Sequence, residues 1–379
     1  MEENEYMKFL HKLGEEKLNS IVNTQANYWE KIRHPFTGGI ELTPYCNLRC
    51  VHCYLQGSEK EKLLSTEEIK TIIDKLYNKG VLFLYMTGGE IFTRKDFLKI
   101  YTYAKKKGFL IELLTNLTLL DQKIVDTFNE YPPARISVSM YGKDEESYER
   151  VTGQKGMYSK FVNAVKLLRK NGLRLEIKFI ALKENKDDFF AVEKFAKEND
   201  ADFSFTFEIF PTLCGDKKVV NHMWDIDDII EFEKNYEQTK KIWSVNMSDK
   251  NPYFDMKEGE APLYMCNIGK ANFLIDYKGF INPCNKMRIE KYNLLECEFD
   301  DAWDEFKKFQ EVKAPKSYKC AKCKNISICN PCPAQNFMNT GKYDTPSKAV
   351  CELTEKRAKE FRKPEYKEYK ENILKNLKK

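Results

Sequence analysis

Short apolar segments alternate with longer amphipathic segments over the first two thirds of the chain. Runs rich in β-branched and aromatic residues occupy residues 39–43, 82–86, 110–115, 136–140, 175–182 and 203–210. The segments between them have helical spacing, and one of them opens with a Ser65/Glu68 capping box and stops at Gly80. This alternation predicts six βα units with a parallel sheet, arranged as an open doubly wound sheet or as a partial barrel. In either arrangement, active-site residues should follow the ends of strands.

The alternation stops near residue 245, and cysteines become frequent after it. Residues 262–351 contain eight of the twelve cysteines and few long apolar runs, so we expect metal sites to stabilise this segment. The predicted units are an N-terminal helical segment (1–38), an α/β core (39–245), a cysteine-rich domain (246–355) and a basic C-terminal helix (356–379).

Composition narrows the class of protein. The 379 residues contain no apolar run long enough to span a membrane, and the N-terminus lacks the features of a signal peptide. We therefore expect a cytoplasmic protein that has no membrane partner and uses its cysteines for metal binding or catalysis. The net charge of +5 is too balanced to indicate nucleic-acid binding.

Three cysteines follow the first predicted strand. Cys46, Cys50 and Cys53 have C-x3-C-x2-C spacing, whereas a structural zinc site needs four ligands. Three thiolates on a [4Fe–4S] cluster would leave one iron open, as a catalytic metal requires. A zinc site completed by His52 or by a distant ligand is the alternative.

The triplet and its position resemble the radical S-adenosylmethionine (radical SAM) superfamily. The resemblance implies a partial (β/α)6 TIM-like barrel in which SAM chelates the open iron. One electron then cleaves SAM to a 5′-deoxyadenosyl radical, which abstracts a hydrogen atom from the substrate. It also implies SAM contacts at ends of strands, where the corresponding residues are His52, Gly88, Gly89, Glu90, Asn116 and Ser139. Many relatives read S-x-D-G at the fourth strand, whereas Ser139 here is followed by Met140, Tyr141 and Gly142.

The second cysteine set resembles a SPASM domain, the extension that binds auxiliary Fe–S clusters in radical SAM enzymes. The family's crossed ligation implies two auxiliary [4Fe–4S] clusters. The first would be held by Cys266, Cys284 and Cys332, and the second by Cys320, Cys323, Cys329 and Cys351. The spacing C-x2-C-x5-C-x2-C at residues 320–332 departs from the usual pattern by one residue, and paired zinc ribbons are the alternative.

This assignment leaves the first auxiliary cluster one cysteine short. Cys214, Cys297 or a non-cysteine ligand would complete it, or the open iron would bind a substrate thiolate. Cys214 follows the sixth predicted strand, where it is either a small buried hydrophobe or a hydrogen-atom donor to a substrate radical. Cys297 precedes a predicted helix and is expected to be structural.

The two resemblances together imply an enzyme that modifies a ribosomally made peptide or protein and takes electrons from a flavodoxin or ferredoxin. Thioether or other cross-link formation is the first expectation. Cα epimerisation and formylglycine formation in a sulfatase are alternatives, and so is a non-catalytic zinc or Fe–S scaffold that docks a partner. About 38 residues precede the first strand, which looks too short for a winged-helix leader-binding domain. Leader recognition would then use a separate protein or the SPASM surface.

Overall fold

One sheet organises most of the chain. The computed structural model describes residues 33–56, 63–248 and 251–376, so the helix predicted before residue 33 lies outside the described residues. The strands are β1 Thr37–Glu41, β2 Phe83–Thr87, β3 Leu110–Thr115, β4 Arg135–Met140, β5 Leu175–Ile180, β6 Asp202–Thr206, β7 Asn272–Ile275 and β8 Ile281–Asn282.

The strand order is β6-β5-β4-β3-β2-β1-β7-β8, and all neighbours are parallel except β7 and β8. The six predicted strands are confirmed, and the carboxyl ends of β1 to β6 lie at one edge of the sheet. Two further strands, β7 and β8, come from the cysteine-rich segment and extend the sheet beyond β1. Strands of four and two residues are too short to give a clear periodic signal.

Helices follow the first six strands. Their bounds are α1 Thr66–Asn78, α2 Phe97–Lys106, α3 Gln122–Glu130, α4 Glu145–Thr152, α5 Met157–Lys170, α6 Phe189–Glu198, α7 Ile226–Asn235 and α8 Glu237–Asn246, followed in the C-terminal segment by α9 Phe299–Phe306, α10 Lys308–Glu311, α11 Pro333–Thr340, α12 Lys348–Phe361 and α13 Pro364–Asn376. Short 3-10 helices occupy Ile91–Thr93, Lys183–Asp188, Lys218–His222, Lys319–Lys322 and Ile326–Ile328.

Local signals account for several helix ends. The predicted capping box is confirmed, since Ser65 Oγ accepts from Glu68 N at 3.2 Å and Glu68 Oε2 accepts from Ser65 N at 2.7 Å. Gly80 stops α1 with a φ of +78°. The prediction of one C-terminal helix was wrong. Two helices are present because Pro364 lacks an N–H and starts a new first turn.

Two apolar cores hold the elements together. The larger one lies between the sheet and its helices, and its centre includes Ile40, Leu113 and Ile177. The smaller one includes Leu263 and Tyr264 and has cysteines of the C-terminal segment packed against it. Within the described ranges, no helix combines the length and apolarity needed to cross a bilayer.

Candidate active site

The three cysteines of the triplet converge on one loop directly after β1. Cys50 is buried, and Cys46 and Cys53 are half-buried. All three thiols lie close enough together to influence one another electrostatically. Backbone hydrogen bonds from Arg49 N to Thr152 O (2.8 Å) and from Val51 N to Val151 O (3.0 Å) fix this loop to the end of α4. The loop is therefore placed by backbone pairing at the carboxyl edge of the sheet.

These thiols suit a metal cluster. Burial raises the pKa of Cys46 to about 11 and raises the pKa of Cys50 well above its ordinary value, so the free thiolates are disfavoured in this pocket. Donors nevertheless face the sulfur of Cys46, from Leu48 N at 3.4 Å and from Asn116 Nδ2 at 3.6 Å. N–H groups directed at a buried sulfur favour a thiolate whose charge is balanced by bound iron. The donor set thus fits an iron–sulfur cluster held by three cysteines.

The Gly-Gly-Glu turn after β2 is joined to the cysteine loop. Gly89 N donates to Thr43 O and Glu90 N donates to Tyr45 O, both at 2.7 Å. A Cβ on Gly88 would lie 2.3 Å from Thr43 O, and one on Gly89 would lie 2.3 Å from Tyr45 O. Only glycine permits this approach, and Gly88 also has a φ of +147°.

Glu90 carries a buried carboxylate within this turn. Its oxygens accept from Thr115 Oγ1 (2.7 Å), Phe92 N (3.1 Å) and Asn116 N (2.7 Å). Burial nevertheless raises the pKa of Glu90 to about 7. No lysine or arginine in the described ranges forms an ion pair with it.

The structure brings the other predicted SAM residues to the same edge. The Asn116 amide bridges Cys46 Sγ and Asn47 Oδ1, the latter at 3.0 Å. Ser139 is half-buried near the end of β4. His52 packs against the Tyr141 ring with centroids 5.6 Å apart. Burial lowers the pKa of His52 to about 4, so its imidazole is neutral, and its buried Nδ1 has no hydrogen-bond partner among the described residues.

The sequence reasoning missed an ion pair that joins β1 to the C-terminal segment. Glu41, at the end of β1, is 1 % exposed and accepts two hydrogen bonds from Arg288, at 2.6 and 3.1 Å. Tyr54, next to Cys53, donates to the same carboxylate at 3.5 Å. A glutamate inside the apolar run "GIELT" was the available signal, whereas nothing local marked Arg288 as its partner.

One face of the sheet carries polar and charged side chains. Ser137 Oγ lies 2.6 Å from carboxylate oxygens of both Glu112 and Glu176, and Arg135 bonds to Glu112 at 3.1 Å. Lys178 lies 3.4 Å from Glu176. Polar residues at alternate positions, Arg135 and Ser137 in β4 and Glu176 and Lys178 in β5, give this signal in the sequence, because alternate residues of a strand share one face.

The C-terminal cysteines form two groups. Cys266, Cys284 and Cys332 pack together against the smaller core and influence one another electrostatically. Burial raises the pKa of Cys284 to about 11, and Gln335 N lies 3.4 Å from Cys332 Sγ. The second group lines one cavity and consists of Cys320, Cys323, Cys329 and Cys351. The donor set of each group fits an iron–sulfur cluster.

The remaining cysteines lie outside both groups. Cys297 packs against the larger core, where its thiol donates to Asn293 O at 3.2 Å. Cys214 is exposed, in the loop after β6, so the expectation that it is a buried hydrophobe was wrong. Leu213 N donates to Tyr54 O at 2.9 Å, which places the Cys214 loop against the end of the cysteine triplet.

Comparisons with known proteins agree with this geometry. A family model described as "Radical SAM superfamily" matches residues 40–196. The chain is 28 % identical to an AdoMet-dependent heme synthase from Methanosarcina barkeri, over 80 % of this chain and 92 % of the relative. It is 25 % identical to the subtilosin biosynthesis protein AlbA from Bacillus subtilis, over 82 % of this chain and 69 % of the relative. The crystal structure of Streptococcus suis SuiB bound to precursor peptide SuiA has the same fold, with a TM-score of 0.65 and 16 % identity over 89 % of this chain and 80 % of SuiB.

The Glu41–Arg288 pair gives a prediction on stability. Arg288→Met leaves the Glu41 carboxylate buried and unpaired, which we expect to lower the free energy of unfolding by about 3–5 kcal/mol at pH 8. Burial raises the pKa of Glu41 and Arg288 opposes this rise, so the variant raises that pKa further. Glu41 then binds a proton at a higher pH in the folded variant than in the unfolded chain. Lowering the pH therefore favours the folded variant, and its loss of stability should shrink as the pH falls towards 5.

Anaerobic urea unfolding of the wild type and variant at pH 6 and pH 8 measures this difference. Arg150→Met is the matched control, because Arg150 pairs with the exposed Glu146 on α4. Glu41→Gln/Arg288→Met should recover part of the lost stability at pH 8. An equal loss for Arg288→Met at both pH values would contradict the assignment to Glu41.

Proposed function

We propose a function from one premise: this chain belongs to the radical SAM superfamily and has a SPASM-type C-terminal segment. It is a radical SAM enzyme, and its proposed substrate is a ribosomally synthesised peptide in which it forms a thioether or another cross-link. Cys46, Cys50 and Cys53 would hold the [4Fe–4S] cluster. With SAM bound, that cluster supplies the one-electron cleavage that generates a 5′-deoxyadenosyl radical.

The residues around the triplet would bind and orient SAM. Glu90 would accept an N–H of the methionine amino group, and Gly88 and Gly89 would keep the backbone close to it. His52, Asn116 and Ser139 would line the rest of the site. Glu90 and Asn116 are buried, whereas His52, Gly88, Gly89 and Ser139 are only partly buried.

The observation that carries the peptide cross-link is the group formed by Cys266, Cys284 and Cys332. Three cysteines on an auxiliary cluster would leave one iron for the thiolate of a substrate cysteine. Neither remaining cysteine belongs to this group, because Cys297 packs against the larger core and Cys214 lies beside the triplet. The Glu41–Arg288 pair supports this assignment, because Arg288 is four residues after Cys284 and Glu41 precedes the triplet loop. This ion pair therefore connects the loop with Cys46, Cys50 and Cys53 to the loop with Cys284.

Two other functions have specific support. The exposed Cys214 beside the triplet loop would suit a hydrogen-atom donor for Cα epimerisation of a peptide. The heme synthase relative supports a tetrapyrrole substrate instead. In either peptide reaction, a flavodoxin or ferredoxin would supply electrons.

Cluster content gives the first prediction for this function. The anaerobically reconstituted wild type should contain roughly eight to twelve irons, at about four per cluster. A Cys46→Ala/Cys50→Ala/Cys53→Ala variant should lose about four irons and all reductive cleavage of SAM. Zinc in place of iron, or unchanged iron in the variant, would overturn the assignment of the triplet.

Product analysis tests the substrate class. With a short peptide encoded beside the gene, we expect a loss of about 2 Da for each cross-link formed, because each one removes two hydrogen atoms. Prior alkylation of the peptide cysteines should block a thioether. Epimerisation would leave the peptide mass unchanged in normal water and would add deuterium at Cα in deuterated water. Cys214→Ala should abolish this deuterium gain. SAM consumption with an iron porphyrin and none with the peptide would refute the peptide proposal.

Titration of Glu90 gives a third prediction. Since burial raises its pKa to about 7, Glu90 is half protonated at neutral pH. The protonated carboxyl is a weaker acceptor for the amino N–H, so SAM affinity should fall as the pH decreases from 7 to 5.5, by up to about tenfold per pH unit. Equilibrium dialysis with labelled SAM measures this dependence on the reconstituted protein.

Glu90→Gln should bind SAM more weakly and with a flat pH profile over the same range. Glu130→Gln, at an exposed position on α3, should behave as the wild type. A wild-type profile that is flat between pH 5.5 and 7 would argue against Glu90 as the acceptor.

A further inference from the structure

One segment of the chain has a strongly uneven charge. Residues 312–343 contain six lysines and no aspartate or glutamate, although the whole chain has 63 basic and 58 acidic residues. The lysines are Lys313, Lys316, Lys319, Lys322, Lys324 and Lys342. The same segment supplies Cys320, Cys323 and Cys329 to the second cysteine group. Positive charge is therefore concentrated beside a predicted redox centre.

Two of these lysines lie next to the cysteines that line the cavity. Lys319 and Lys324 are exposed and flank Cys320 and Cys323 in sequence. Lys319 is close enough to the Cys351 thiol to influence it electrostatically. Cys351 comes from α12 and is only half-buried, so the cavity reaches the surface beside these lysines.

Few of these charges are neutralised within the chain. Among the residues the structure describes, Lys316 alone of the six forms an ion pair, with the exposed Glu258 at 3.8 Å. Glu355 is the acidic side chain that lines the cavity. Asp255, Glu258 and Glu260 lie beside Lys257 in the neighbouring segment 251–260. Residues 251–260 and 312–343 together with Glu355 contain seven lysines and four carboxylates, and this net charge of +3 favours negatively charged partners.

An exposed apolar patch borders the lysines. Phe254 is 55 % exposed and Met256 is 39 % exposed. Lys322 Nζ donates to Phe254 O and Met256 O at 2.5 and 2.9 Å, and Asn251 Nδ2 donates to Cys323 O at 3.0 Å. The patch is thus fixed to the cysteine loop. An apolar centre with a charged surround is the usual anatomy of a protein interface.

We propose that this face, which comprises Lys319, Lys324, Phe254 and Met256, docks an acidic one-electron carrier protein of the flavodoxin or ferredoxin type. The inference rests on the proposed function, because it requires a cluster bound by Cys320, Cys323, Cys329 and Cys351. The reduced carrier loses one electron and the cluster gains it, with no bond made or broken. Weak, electrostatically steered contacts of small area suit a carrier that must leave after each transfer.

Binding of a purified acidic flavodoxin to the reconstituted enzyme tests the proposal. The variant is Lys319→Glu/Lys324→Glu, which leaves Lys322 and its loop contacts intact. The matched control is Lys166→Glu/Lys170→Glu on α5, where both lysines are exposed and the change in net charge is the same. Interferometry at 50 and 200 mM salt gives the dissociation constants, and iron content is measured for all three proteins.

We expect wild-type binding that weakens with salt, about tenfold weaker binding for the Lys319/Lys324 variant, and no more than about a twofold change for the control. Equal weakening in both variants, or no weakening in either, would refute this docking face. Dithionite reduces the enzyme without docking, so dithionite-driven SAM cleavage should be equal in all three proteins. Its absence in the wild type would instead count against the proposed function.

Discussion

A buried ion pair between distant parts of the chain underlies the architecture of the site. Glu41 and Arg288 are 247 residues apart in sequence, and their side chains are 1 % and 15 % exposed. Taking two charges out of water is costly, and the bidentate geometry recovers much of that cost. Such a pair tolerates little displacement. The loop with Cys46, Cys50 and Cys53 and the loop with Cys284 are consequently held in one relative position.

The cysteine groups show a related compromise. Burial raises the pKa of several of these thiols, among them Cys46, Cys284 and Cys320, and backbone or amide N–H groups are nevertheless directed at the sulfurs of Cys46 and Cys332. The protein thus builds sites that are unfavourable for free thiolates and suitable for metal-bound ones. Metal binding then contributes to the stability of the segment that holds it, which explains why a segment with such a small core can be ordered.

The sequence predicted the parts of the site that depend on local patterns. Six strands, the loop after β1, the Gly-Gly-Glu turn and the capping box of α1 all follow from spacing, periodicity and backbone sterics within a few residues. Strands β7 and β8 escaped prediction because their pairing with β1 is decided by tertiary contact rather than by their own short periodicity. The partner of Glu41 and the setting of Cys214 are also products of long-range packing, which no local pattern encodes.

The pairing of β1 with β7 has a consequence for how the chain is made. Thr37 is paired with Asn272, so one edge of the first strand stays open until about 235 further residues have been synthesised. At the usual rate of about 5–20 residues per second, this wait is roughly 10 to 50 s. During that time the nascent chain carries an unpaired strand edge, a charged Glu41 without its arginine and three reactive thiols. The open edge of β1 and these side chains are therefore exposed during translation, before β7 has left the ribosome.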